Sequence, residues 1–219
     1  MTTPDPDAHF WDREAEKYSK SAISDEAGYE RTLSRVQELL QKHYNVIELG
    51  CGTGMTATKL GGSVNSYLGT DIAAKMIEIA NKRNTGDKTI PGLSFSVATA
   101  ESVTAATDHT RYDAVLAFNY LHLVRDMPGT LRNIHDLLHP GGLFIGKSPC
   151  LREMNPLIWW AALPAMRAIG KAPHCGVFSE TQLKEEIVKA GFEIITVERH
   201  GVKVGLLGDS RPFIVARKK

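Results

Sequence analysis

Asn45-Val46-Ile47-Glu48-Leu49-Gly50-Cys51-Gly52-Thr53-Gly54 decides how this chain is read. Its first half is a short apolar run of strand type, and it stops at three glycines spaced two apart. Glycine lets a backbone turn sharply and come close to a ligand with no Cβ in the way. A helix starting at about Met55 would then aim its unpaired first amides at whatever sits above the turn. Strand, glycine turn and helix in that order form the ligand-binding corner of an open α/β sheet, where the strand order reverses.

The rhythm continues on both sides of that corner. Residues 66–70 form a second strand run ending at Asp71, and Ile72, Met76, Ile79 and Ala80 follow at helical spacing. Residues 93–98, 112–118 and 143–147 read as three further strands. Between the last two, Leu131, Ile134 and Leu138 share one helical face that opens near Asp126 and Pro128, and His139-Pro140-Gly141-Gly142 reads as a turn. Ser179-Glu180-Thr181-Gln182 is a capping box, opening a helix with Leu183, Ile187 and Val188 inward that stops at Gly191. Residues 192–197 and 213–216 read as closing strands around a glycine-bearing loop, 201–212. The alternation predicts one doubly wound, Rossmann-like α/β domain over residues 1–219. It has a seven-stranded, mostly parallel sheet with an antiparallel C-terminal hairpin, an N-terminal helical arm (1–40) and an insertion (149–176). Within that insertion residues 157–169 are apolar on nearly every side, hold Trp159 and Trp160, and are interrupted by Pro164 and Arg167.

Composition bounds the function. The chain has 219 residues, 42% hydrophobic and 23% charged, which excludes a wholly disordered chain. Lys and Arg number 26 against 25 Asp and Glu, so no strong basic excess points to a nucleic-acid partner. The polar, acidic stretch Met1 to Asp7 is unlike a secretory signal, and no run is apolar for the length a membrane span needs. Cys51, Cys150 and Cys175 are too few and too widely spaced for a disulfide framework or a zinc site. These features lead to the expectation of a cytoplasmic enzyme domain without a metal.

Two cofactor classes use such a glycine corner. A dinucleotide fold wants G-x-G-x-x-G/A; counted from Gly50 the last position is Met55, and counted from Gly52 it is Ala57, a poor match. What fits is acidic-x-Gly-x-Gly-x-Gly, with Glu48 supplying the acid.

At this point the sequence resembles the class I S-adenosylmethionine-dependent methyltransferases, in particular the small-molecule branch that includes quinone-biosynthesis enzymes. Residues 46–54 match that family's first motif, and Gly69-Thr70-Asp71-Ile72 its second-strand motif. Tyr112-Asp113-Ala114-Val115 with Phe118-Asn119-Tyr120-Leu121-His122 resembles the fourth-strand motif. Leu137 to Gly142 is similar to the turn before the fifth strand, and Phe10-Trp11-Asp12 with Ala15 and Tyr18 to the arm that folds over the cofactor.

The resemblance implies S-adenosyl-L-methionine as cofactor and a site made of Trp11, Tyr18, Glu48, Gly50, Cys51, Gly52, Asp71, Ile72, Met76, Thr99, Ala100, Glu101, Asn119 and Leu121. In it Asp71 binds the ribose hydroxyls, Glu48 orders the loop and answers the cofactor's positive charge, and Asn119 and Leu121 offer main-chain carbonyls. The family often carries an acid for the adenine amino group where this chain has Thr99; Glu101, or packing on Ile72, could stand in.

Simpler readings stay open beside these: Glu48 capping backbone amides, Asp71 as a helix N-cap, Trp11 and Tyr18 as apolar docking of the arm. His122 is a candidate general base whose simpler reading is packing. His135 and His139, four apart, lack a partner that would make them metal ligands. Residues 157–169 read as a substrate cap through Trp159 and Trp160, as a plain buried helix, or as a membrane-surface element. The function expected is methyl transfer to a small-molecule acceptor. The alternatives are cofactor binding without catalysis and a nicotinamide-dependent oxidoreductase.

Overall fold

A computed structural model of the chain describes residues 6–106, 111–201 and 210–219. The chain opens with two helices, α1 (Pro6–Lys20) and α2 (Glu26–Leu39), and then alternates: β1 (Asn45–Leu49), α3 (Met55–Leu60), β2 (Ser66–Asp71), α4 (Ala74–Arg83), β3 (Leu93–Val97), α5 (Ala100–Ala106), β4 (Tyr112–Phe118), α6 (Met127–Leu137) and β5 (Leu138–Lys147). Beyond β5 come a π-helical turn (Ile158–Ala162), α7 (Leu163–Ala168), α8 (Glu180–Lys189), β6 (Phe192–Glu198) and β7 (Phe213–Lys218).

The seven strands form one sheet in the order β3-β2-β1-β4-β5-β7-β6. The first five run parallel, and β7 lies antiparallel to both β5 and β6. The order reverses between β1 and β4, so the glycine corner after β1 sits at the switch point. The loop expected over 201–212 lies partly outside the described residues, at 202–209.

The sheet is covered on both faces, which explains why its central strands read as continuous apolar runs rather than as alternation. Ile47, Leu49, Val115, Ala117 and Phe144 pack with Val103 of α5, Leu131 and Ile134 of α6, and Leu183 and Ile187 of α8. The opposite parity, Val46, Ala114, Leu116 and Ile145 with Tyr67, packs against Leu33 and Val36 of α2 and Ala57 and Leu60 of α3.

Local signals place most boundaries. Asp126 accepts from the Gly129 amide at the head of α6, and Ser179 with Gln182 closes a full capping box on α8. The sequence reading gave no helix at α5, although Thr99 and Ser102 cap it by exchanging backbone N–H to hydroxyl bonds of 2.8 and 3.3 Å. The predicted turn over residues 139–142 differs in form. Strand β5 begins at Leu138, paired with Tyr112, and regains register at Leu143 opposite Ala114, so these four residues bulge out of the strand rather than preceding it. Gly141, at φ 79°, provides the left-handed residue that the bulge needs.

Residues 157–169 are not the buried helix that their composition allowed. Trp160 is 71% exposed and Leu157 and Ile169 about two-thirds, at 65% and 66%. No helix among the described residues is long and apolar enough to cross a membrane.

Arm helix α1 docks on α4, whose N-cap residue, Ala73, has no capping side chain. Asp12 supplies that cap from outside, its carboxylate accepting from the Lys75 amide at 2.8 Å. Ala15 and Trp11 pack on Ala73 and Met76 beneath it.

Glu48 is a carboxyl inside this core, only 2% exposed. Its Oε2 accepts from the Tyr67 hydroxyl at 2.9 Å. Burial raises its pKa to about 7; the Tyr67 hydrogen bond opposes that rise and the Asp71 charge adds to it. Between the ordinary carboxyl range and about 7 the folded chain therefore keeps a proton that the unfolded chain has released. Stability falls as pH rises through that window, by about 3 kcal/mol from this group, and levels off above it. In urea titrations from about pH 5 to pH 8, Glu48→Gln should gain stability relative to the parent as pH rises. An identical pH dependence for the two proteins would show that Glu48 titrates normally.

Candidate functional site

Gly50, Gly52 and Gly54 all adopt positive φ, at 68°, 54° and 75°. Residues with a Cβ avoid this region, so the spacing read from the sequence is a backbone requirement. A Cβ on Gly50 would lie 2.6 Å from the Tyr120 ring, whereas one on Gly52 would make only an ordinary contact with Tyr18, at 3.6 Å.

The turn is held by Asp71, at the end of β2. One carboxylate oxygen accepts from the Gly52 amide at 3.0 Å and the other from the Ala73 amide at 2.9 Å. Asp71 therefore ties the glycine turn to the stretch leading into α4; the N-cap position of that helix is Ala73, so Asp71 is not the helix N-cap that the sequence also allowed. Burial still pushes its pKa up, against the lowering effect of the Ala73, Gly52 and Ile72 amides. A carboxylate left under-solvated by three backbone donors is suited to receive further donors from a ligand, such as a pair of hydroxyls.

Above this corner lies a cavity of about 590 Å³ whose wall includes Trp11, Tyr18, Gly50, Gly52, Asp71, Ile72, Met76, Thr99, Glu101, Asn119 and His122. Acid, apolar surface and exposed backbone amides are what a nucleoside with a charged tail requires. A second cavity, of about 320 Å³, adjoins it and shares Tyr18, Gly50, Gly52, Phe118 and Asn119. Its remaining wall includes Tyr29, Thr32, Glu48, Cys51, Lys147 and Arg211. Lys147 Nζ donates to the Thr32 hydroxyl at 3.0 Å, and Arg211 faces Asp25 at 3.9 Å.

The structure thus brings most of the expected residues to the walls of these two cavities. Cys51 lines the smaller cavity, with its thiol pKa raised by burial. Ala100 and Leu121 lie in the core beneath the site and line neither cavity. The Thr99 hydroxyl caps α5, and Glu101 accepts from the Thr130 hydroxyl at 3.0 Å. Asn119 is the only non-glycine described residue with positive φ, at 52°. Its amide donates to the Lys147 carbonyl at 2.7 Å, which bends the chain away at the end of β4.

His122 is on the larger cavity's wall, and burial lowers its pKa to about 4, so it is neutral near pH 7. Its Nδ1 has no hydrogen-bond partner among the described residues. The His135 ring packs edge-on against Phe192, with ring centres 5.3 Å apart. Trp159 and Trp160 line neither cavity.

Sequence reasoning missed Tyr120, whose ring forces glycine at position 50, and the pair that crosses the larger cavity, Arg125 to Asp7 at 2.8 Å. Tyr120 carried a signal, since it lies next to Asn119 in the fourth-strand motif. Asp7 and Arg125 carried none, being joined only by the docking of α1. Trp11 and Tyr18 meet edge to face under this strap, 6.3 Å apart.

Comparison with known proteins agrees with this geometry. A family model described as a methyltransferase domain matches residues 21–197, most of the chain. The chain is 31% identical over 183 residues to the mitochondrial arginine-hydroxylase NDUFAF5 of Danio rerio, covering 81% of this chain and 54% of that protein. It therefore spans about half the length of that curated relative. Among solved structures, a SAM-dependent methyltransferase from Thermotoga maritima superposes with a TM-score of 0.67 at 22% identity, over 96% of this chain and 99% of that one. The [4+2]-cyclase SpnF superposes with the same score, 0.67, at 20% identity, over 86% of this chain and 80% of its own. With a methyltransferase-domain model matching residues 21–197, the chain belongs to the class I S-adenosylmethionine-dependent methyltransferases.

Proposed function

We propose that the enzyme methylates a small-molecule acceptor held beside the cofactor. The observation that carries this reading is the shared wall of the two cavities. The larger has the features a nucleoside needs, and the smaller meets it at Gly50, Gly52 and Asn119 with room for one compact ligand. The near-zero net charge supports a small acceptor over a nucleic acid.

When bound, S-adenosylmethionine supplies a methyl group already activated by its sulfonium charge. The chain's own work is then to bind, orient and exclude water. Asp71 would hold the ribose hydroxyls, Ile72 and Met76 would pack the base, and Gly52, with no Cβ, would admit the ligand backbone-close. Glu48, lining the smaller cavity beneath the glycine turn, would answer positive charge. Trp11, Tyr18 and the Asp7–Arg125 pair would roof the site. His122 is a weak proton acceptor near pH 7 because burial favours its neutral form so strongly, so we assign it to orienting ligands rather than to removing a proton.

Titration calorimetry with S-adenosylmethionine and S-adenosylhomocysteine, followed by turnover with candidate acceptors, tests the whole reading. Both should bind, and Asp71→Ala should weaken them about 10- to 100-fold, as loss of hydrogen bonds to a charged group predicts. Unchanged affinity would remove Asp71 from the cofactor site.

The glycine pair separates space from strain. Gly50→Ala should lower both melting temperature and affinity, since left-handed strain of about 1–2 kcal/mol adds to a clash with Tyr120. Gly52→Ala, free of such a clash, should lose proportionally more affinity than stability. Once an acceptor is known, His122→Asn should lower kcat/KM less than about tenfold and leave its pH profile in place. A larger loss with a displaced pH limb would make His122 the base.

A further inference from the structure

Five of the ten large hydrophobic residues that stand exposed among the described residues fall within positions 157–169: Leu157, Ile158, Trp160, Met166 and Ile169. Single exposed apolar residues are ordinary, but a concentration of this kind marks a contact surface. The segment is helical through its π-turn and α7, with Pro164 in the first turn of α7. Neither cavity uses it.

Charge narrows what covers it. From residue 154 to 179 there is no Asp or Glu, while Arg167 and Lys171 lie within that span and Arg152 just before it. Arg13 of α1 joins the same edge, its guanidinium donating to the Gly170 carbonyl at 2.6 Å. Of the acids nearby, Glu14 pairs with Arg13 at 3.5 Å and Glu180 with Lys184 and Arg199, while Glu153, which accepts from the Glu180 amide, keeps its charge beside Arg152. At the far end the Gly176 amide donates to the His122 carbonyl at 2.7 Å, and His174, whose pKa burial lowers, feels the charges of Arg125 and Arg167 against that of Asp7. The apolar patch is therefore flanked by basic residues, and the chain beyond it is joined at Gly176 to His122 on the larger cavity's wall.

We infer that residues 157–169 form a membrane-interface element that docks the enzyme on bilayers containing anionic phospholipid. An apolar helix with tryptophan at its exposed surface and basic residues around it fits the boundary between headgroups and acyl chains. These basic residues supply the attraction to anionic headgroups. The inference stands apart from the identity of the methyl acceptor, and its test does not need one.

The test is co-sedimentation of the full chain with vesicles of phosphatidylcholine alone and of phosphatidylcholine mixed with phosphatidylglycerol. The chain should bind the mixed vesicles at least about tenfold more tightly, and added salt should weaken that binding. Trp160→Glu and Ile169→Glu should abolish it, and Arg167→Glu with Lys171→Glu should bring it down to the phosphatidylcholine level. Since Trp160 and Ile169 are largely exposed, these variants should keep the parent's melting temperature, which separates lost docking from lost folding. Failure of the parent to sediment with mixed vesicles would overturn the inference, as would sedimentation that Trp160→Glu leaves intact. A vesicle-free dimer dissolved by Trp160→Glu, with no vesicle binding, would instead make the patch a self-association surface and also overturn it.

Discussion

The two hydrogen bonds accepted by Asp71 hold the site together. One fixes the Gly52 amide in the turn after β1, and the other fixes the Ala73 amide at the start of α4. Because β1 and β2 are neighbours in register, Leu49 opposite Thr70, a single carboxylate can span both corners. Its burial leaves it short of donors even so, and a corner that is rigid yet electrostatically incomplete is prepared for a ligand bearing hydroxyls. The left-handed glycines and the Tyr120 ring over Gly50 belong to the same arrangement, since the turn exists only where no Cβ intrudes.

Beside that corner lies the N-terminal arm. The arm is joined to the domain by the Asp12 cap on α4, the apolar contact of Trp11 and Ala15, and the Asp7–Arg125 pair. Arg125 is more than half exposed, so the pair contributes geometry more than stability. These contacts lay the arm beside the larger cavity, whose wall includes Asp7, Trp11 and Tyr18. Just beyond the surface of residues 157–169 the chain is joined to the arm through Arg13 and Gly170, and to the wall of the larger cavity through Gly176 and His122.

Likeness to a [4+2]-cyclase and to an arginine-hydroxylase shows how little the fold itself says about the reaction. The smaller cavity gathers Lys147, Thr32, Arg211 and Tyr29 from α2, β5 and the stretch before β7. These residues share no motif and no periodicity. They meet because the sheet places the end of β5 beside α2, which no local pattern records.

What the sequence by itself determined is the corner. Glycines at alternate positions allow a left-handed turn that other residues resist, an acid ends the next strand run, and continuous apolar runs suit a sheet covered on both faces; each is a property of a few adjacent residues. Even the assignment of Thr99 was local, though its hydroxyl caps α5 rather than standing free. Tertiary structure alone decided the rest. Asp7 and Arg125 are 118 positions apart, so their bond follows from where α1 docks. The bulge over residues 139–142 follows from the register that β4 imposes on β5. Residues 157–169 are as apolar as a core helix, and only the absence of a described element packed over them makes them surface, because hydropathy measures what a side chain prefers and not whether a neighbour is there to cover it.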